Sequence, residues 1–244
     1  EQIKKTKKQY KLINLKQPIS VLGWIGMCQT EGLSKEDKKE VLKTKQKTHN
    51  LMHELTKQSH LVVTPGRCAC PALKYYQLNQ ETLDQITEVP GFGHLAKLYS
   101  VAQASFSGQN LSKEVGRLNN IYEQSRGGPF FFVPPENTKQ FGYQELVKQK
   151  IIIPCKDLQE IIETATNYLE QLKTKPELTQ QHRQKTLTHQ RKTRKQQLPK
   201  ILTTIKHLLR QKKQKQAYTY TPPESDWENK KIAQNQIEIY NKIE

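Results

Sequence analysis

Positive charge in this chain is gathered into blocks, and that segregation limits where a core can form. Over residues 171–216, lysine and arginine exceed the acidic residues by 13, with Glu177 the single acid. Like charges at that density repel one another and stay solvated unless an anionic surface neutralises them. Residues 1–57 carry an excess of +7, whereas 58–170 come to −1 and 217–244 to −2. Of the 244 residues, the electrically ordinary middle is therefore where a packed interior is expected. Hydrophobic residues make up only 34% of the chain, below the share of a compact globular protein, so part of the length is expected to lie extended on a partner.

Local patterns mark out the elements. Residues 1–17 read as a basic arm, followed by an apolar patch of Val21, Leu22, Trp24, Ile25 and Met27. Ser34 is expected to cap a helix, with Glu36 and Asp37 in the first turn where the helix dipole favours negative charge. Val41, Leu42, Met52 and Leu55 carry that helix to about Gln58. Thr64-Pro65-Gly66 is a break. Phe92, Leu95, Tyr99, Ala102 and Phe106 recur by three and four, which predicts one helical stripe, stopped by Gly108. Leu118, Ile121 and Tyr122 suggest another helix, ended by Gly127-Gly128-Pro129. Ile151 to Ile153 is a short β-like run. Asp157 and Glu160 have capping-box spacing before Leu158, Ile161, Ile162, Ala165, Leu169 and Leu172. A narrow apolar stripe from Leu198 through Ile201, Leu202, Ile205 and Leu208 to Leu209 lies inside the basic block, and a short amphipathic piece with Trp227, Ile232, Ile239, Tyr240 and Ile243 closes the chain.

Chemistry is harder to find. The four cysteines, Cys28, Cys68, Cys70 and Cys155, are too sparse for a disulfide scaffold, and Cys68-Ala69-Cys70 has no matching Cys/His pair, so neither metal nor cofactor is expected. Phosphate loops, zinc-hydrolase motifs and nucleophile elbows are absent. The apolar runs are too short to span a bilayer and no signal region opens the chain, which predicts an intracellular protein. The first residue is Glu, so the sequence is expected to start inside a longer or processed product.

A constellation in the middle carries a family resemblance. Arg67-Cys68-Ala69-Cys70-Pro71-Ala72-Leu73 resembles the FLR signature of Ras GTPase-activating (RasGAP) domains. His94-Leu95-Ala96-Lys97-Leu98, Leu118 to Gln124 and the phenylalanines 130–132 resemble later family motifs in order, and Tyr143 to Val147 with Glu160 to Thr164 is similar to the segment following the IQGAP domain. The resemblance covers residues 58–170. It implies that Arg67 braces a finger loop and that Lys97 faces a small GTPase. The long helix before the signature and the finger loop itself are missing, so the implied domain is degenerate and not an enzyme.

The expected protein is thus mainly α. It comprises a basic arm and apolar docking segment (1–33), a RasGAP-like helical core (34–172), a basic helical segment (173–216) and a tail (217–244). Arg183, Lys185, Arg191, Lys192, Arg194, Lys195, Arg210, Lys212, Lys213 and Lys215 are the residues expected to meet an anionic surface. The function this implies is a non-catalytic scaffold, docked on a cytoskeletal polymer or other large assembly in the cytoplasm, with a small GTPase or calmodulin as further partners. The alternative is an RNA-binding structural protein of a ribosome-like particle, or one of an organelle matrix, contacting rRNA phosphates.

Overall fold

Six short strands line up in one wholly parallel sheet in the order β3-β2-β1-β4-β5-β6. They are β1 (Ile19–Gly23), β2 (His60–Thr64), β3 (Ile86–Glu88), β4 (Ala104–Ser107), β5 (Phe130–Phe132) and β6 (Ile152–Pro154). The computed structural model describes residues 1–25, 34–65, 72–90, 93–108, 121–132 and 142–214, without the side chains of 209–214. Contacts divide the chain into two units, Glu1–Arg191 and Lys192–Glu244, and the sheet belongs to the first.

Helices connect the strands and cover both faces. They are α1 (Gln2–Gln9), α2 (Lys35–Thr56), α3 (Gln80–Asp84), α4 (Leu95–Val101), α5 (Ile121–Gln124), α6 (Tyr143–Lys148), α7 (Leu158–Thr174) and α8 (Glu177–Gln214). On one face Leu22, Leu61, Val63, Ala104, Phe106 and Phe131 pack against Leu51, Met52 and Leu55 of α2 and Ile161, Ala165 and Leu169 of α7. On the other, Ile19, Val21 and Val62 meet Tyr10, Leu98, Tyr99 and Val101, and Phe130, Phe132 and Ile152 meet Ile121 and Leu146. A strand buried on both sides has no reason to alternate polar and apolar residues. That is why β1 and β5 look like undifferentiated apolar patches in the sequence.

This sheet overturns the mainly-α expectation, and with it the RasGAP-like and IQGAP-like resemblance, since the implied fold is all-helical. The supposed extended arm contains helix α1 and leads directly into the central strand. The predicted helical stripe breaks after α4: Phe106 sits in β4, in register with Leu22 of β1. The capping predictions agree with the structure. Ser34 accepts from the Asp37 amide at 3.1 Å, and Asp157 accepts from the Glu160 amide at 2.9 Å. Among the described residues no helix is long and apolar enough to cross a membrane.

Candidate functional site

The strand order fixes where a site can form. From β1 the chain steps outward to β2 and β3, then returns to lay β4 on the other side of β1 and proceeds to β5 and β6. Because parallel crossovers keep one hand, reversing direction moves the connecting helices to the opposite face. The carboxyl ends of β1 and β4 therefore form the topological switch point, the position at which open α/β sheets bind ligands.

Three backbone features converge there. Gly23 ends β1, and a Cβ on it would lie 2.5 Å from the Tyr99 hydroxyl and 2.8 Å from Leu95, so a side chain there would displace those two side chains of α4 from the strand. Trp24 follows with φ of 59°, a left-handed conformation that costs a bulky residue about 1–2 kcal/mol. Gly108 follows β4, and a Cβ there would lie 2.4 Å from the Trp24 carbonyl oxygen. The two strand ends thus stay in backbone contact, and half-buried Trp24 sits at their lip.

Polar groups surround this point. Tyr99 and Gln124 are buried neighbours on the α4/α5 side, their side chains close enough to interact with each other although not in ideal hydrogen-bond geometry. Burial pushes the Tyr99 phenol far above its ordinary pKa, so it remains a neutral donor. Ser105 Oγ donates to the Gln124 carbonyl at 2.9 Å, and Ser107 is buried at the end of β4. Beyond the far face of β1, the Tyr76 hydroxyl donates to the Ile25 carbonyl at 2.9 Å. Glu88, at the end of β3, accepts from the amides of Ala72 and Leu73, which pins the connection after β2 to the sheet edge.

Two of the helix termini at this edge are already compensated. Ser34 and Asp37 occupy the start of α2, and Asp157 with Glu160 the start of α7, where Glu160 also accepts from the Lys156 amide at 2.7 Å. Carboxylates in those positions take the place that a phosphate would hold. The described groups at the switch point are aromatic, hydroxyl and amide. Among the described residues no group of three His, Cys, Asp or Glu could hold a metal ion.

The residues singled out from sequence are not gathered here. Arg67 lies outside the described residues, as do Cys28, Cys68 and Cys70. Lys97 is exposed on α4, and Lys185 and Arg191 are exposed on α8. Arg183 instead turns inward: its guanidinium donates to the Ala102 carbonyl at 2.6 Å and the Gly127 carbonyl at 3.1 Å. Lys192, Arg194 and Lys195 are exposed in the second unit; Arg210, Lys212 and Lys213 lie on α8 where side chains are not described, and Lys215 lies outside. A cavity of about 500 Å³ opens at the opposite, amino-terminal end of the sheet, beside Lys7, Lys16, Gln103, Lys173 and Arg183. Its cations are partly committed, because Lys173 bonds Glu170 and Gln58 while Arg183 holds two carbonyls. None of Gly23, Trp24, Ser107 or Gly108 was a candidate from sequence; only the strand pairing brings them together.

The first unit is thus a doubly wound α/β domain whose strand order reverses between β1 and β4. No protein-family model matches the chain, and neither does any curated protein. The crystal structure of the C-terminal CMP-Kdo binding domain of WaaA from Acinetobacter baumannii is similar to it, with a TM-score of 0.48 and 15% sequence identity over 75% of this chain and 97% of that one. A likeness of that extent carries no chemistry across. The scaffold function was built around a RasGAP-like helical core and falls with it. So does the exclusion of an enzyme, which rested on the missing half of a GTPase-activating domain that the parallel sheet replaces.

Proposed function

We propose that Glu1–Arg191 is a small-molecule binding domain whose ligand sits at the carboxyl ends of β1 and β4. The observation that carries this reading is the reversal of strand order between those strands. The strained Trp24 backbone at that point supports it, since a left-handed bulky residue persists only where surrounding structure holds it and such residues gather at ligand sites. Trp24 would offer a ring face to a planar group, with the buried Tyr99–Gln124 pair on the α4/α5 side. With the α2 and α7 termini already carrying carboxylates, the reading favours recognition of a planar, hydrogen-bonding moiety such as a nucleobase.

Calorimetric titration of the full chain with nucleosides, nucleoside monophosphates, sugar nucleotides and dinucleotides tests this. Binding that depends on the base, and is weakened at least about tenfold in Trp24→Gly, is expected. The glycine relieves backbone strain of about 1 kcal/mol but also removes a half-buried indole, so urea unfolding of the variant is measured alongside, and the loss counts only where the variant remains folded. No binding across the panel, or binding indifferent to Trp24→Gly, would refute the reading.

A further inference from the structure

The second unit carries a feature that ligand binding does not use. From Lys192 onward, α8 exposes five large aliphatic side chains: Leu198 (43% exposed), Ile201 (51%), Leu202 (47%), Ile205 (44%) and Leu208 (57%). At 100° per residue they fall within an arc of about 120°, a single stripe. Lys195 and Lys206 border that stripe, Arg194 lies on its line one turn earlier, and all three are exposed. The far side is chiefly Gln196, Thr203, Thr204 and His207, with Lys200 among them. Thr203 and Thr204 donate back to the carbonyls of Pro199 and Lys200 one turn earlier, which satisfies their hydroxyls and keeps that side small.

We propose that this part of α8 is an interfacial helix that docks the protein on an anionic lipid surface, lying in the headgroup plane with the stripe facing the acyl boundary. Two properties point to lipid over other occupants. The cations concentrate beside the apolar stripe, at the depth of the headgroups, where lysine stems lie along apolar surface and their ammonium groups reach lipid phosphates. A second copy of the chain does not fit, because no acid occurs between Glu177 and Glu224 and like charges would face each other. A nucleic acid would use the cations and leave the five aliphatic side chains in water.

Co-sedimentation of the full chain with extruded vesicles separates these cases. The chain is expected to bind vesicles of equimolar phosphatidylcholine and phosphatidylglycerol and to leave pure phosphatidylcholine unbound. Ile201→Ser with Ile205→Ser, both exposed positions whose change leaves the fold and charge intact, should weaken partitioning about a hundredfold. Lys195→Gln with Lys206→Gln should weaken it on anionic vesicles and make its loss with salt shallower. No binding to the anionic vesicles, partitioning unchanged in the double serine variant, or binding of polyuridylic acid in place of vesicles would each overturn the proposal.

Discussion

His182 makes the stability of the first unit depend on pH in a definite window. It sits on α8 at 8% exposure, and its Nε2–H donates to the Ser125 carbonyl at 3.2 Å. Burial, aided by the charges of Lys185 and Arg183, pulls its pKa down to about 4, although the bond to Ser125 works the other way. The unfolded chain keeps the ordinary value of about 6.5, so between pH 6.5 and pH 4 the unfolded state binds the extra proton. Stability contributed by neutral His182 is thus present above pH 6.5 and is lost as pH falls toward 4. Linkage over that shift gives a loss of about 2 kcal/mol between roughly pH 7 and pH 4.5. Urea unfolding followed by circular dichroism, at steps through that range, measures it. Carboxylates contribute their own acid dependence, so the comparison is with His182→Gln, which retains an N–H donor and does not titrate. The wild-type curve should fall more steeply than the variant's by about 2 kcal/mol over the window. Parallel curves would refute the placement of His182 in a dry contact with the 125–128 turn.

Three further perturbations probe the same framework. Arg183→Ala should destabilise the first unit by about 2 kcal/mol in urea unfolding, because it strands the carbonyls of Ala102 and Gly127. Gly128→Ala should abolish cooperative unfolding, since a Cβ there would lie 1.1 Å from the Gln103 carbonyl oxygen and force the backbones before β4 and β5 apart. Burial, then the nearby Glu160 charge, raises the Cys155 thiol to about 11, so in a Cys28→Ser, Cys68→Ser, Cys70→Ser background it should react with a disulfide reagent at least about a hundredfold more slowly folded than unfolded.

How legible this architecture was depended on whether a signal is local. The caps of α2 and α7 were legible because each rests on a side chain and an amide three residues away. The strands were not. Ile19–Gly23, His60–Thr64 and Phe130–Phe132 are buried on both faces or nearly so, and therefore show neither period two nor period three and a half. The run from Leu95 to Phe106 is instructive, because its spacing fits a helix although Gln103 marks the turn into β4. There Gln103 pairs with Ile19 in both directions, at 2.6 and 2.7 Å, a contact between residues 84 apart that no window of sequence contains. The mistaken family resemblance arose from the same source: short motifs in order, read without the pairing that places Ala72 and Leu73 against Glu88. The candidate site was hidden for that reason too. Gly23 and Trp24 become neighbours of Ser107 and Gly108 only through the β1–β4 register.

The most direct test of the switch-point site is amide chemical-shift mapping on isotope-labelled chain, titrated with whichever nucleoside or nucleotide binds in calorimetry. Perturbations should centre on Gly23, Trp24, Ile25, Ser107 and Gly108, with smaller changes at Tyr99 and Gln124. Perturbations centred on Lys7, Lys16, Gln103 and Arg183, at the opposite end of the sheet, would contradict a site at the reversal of strand order.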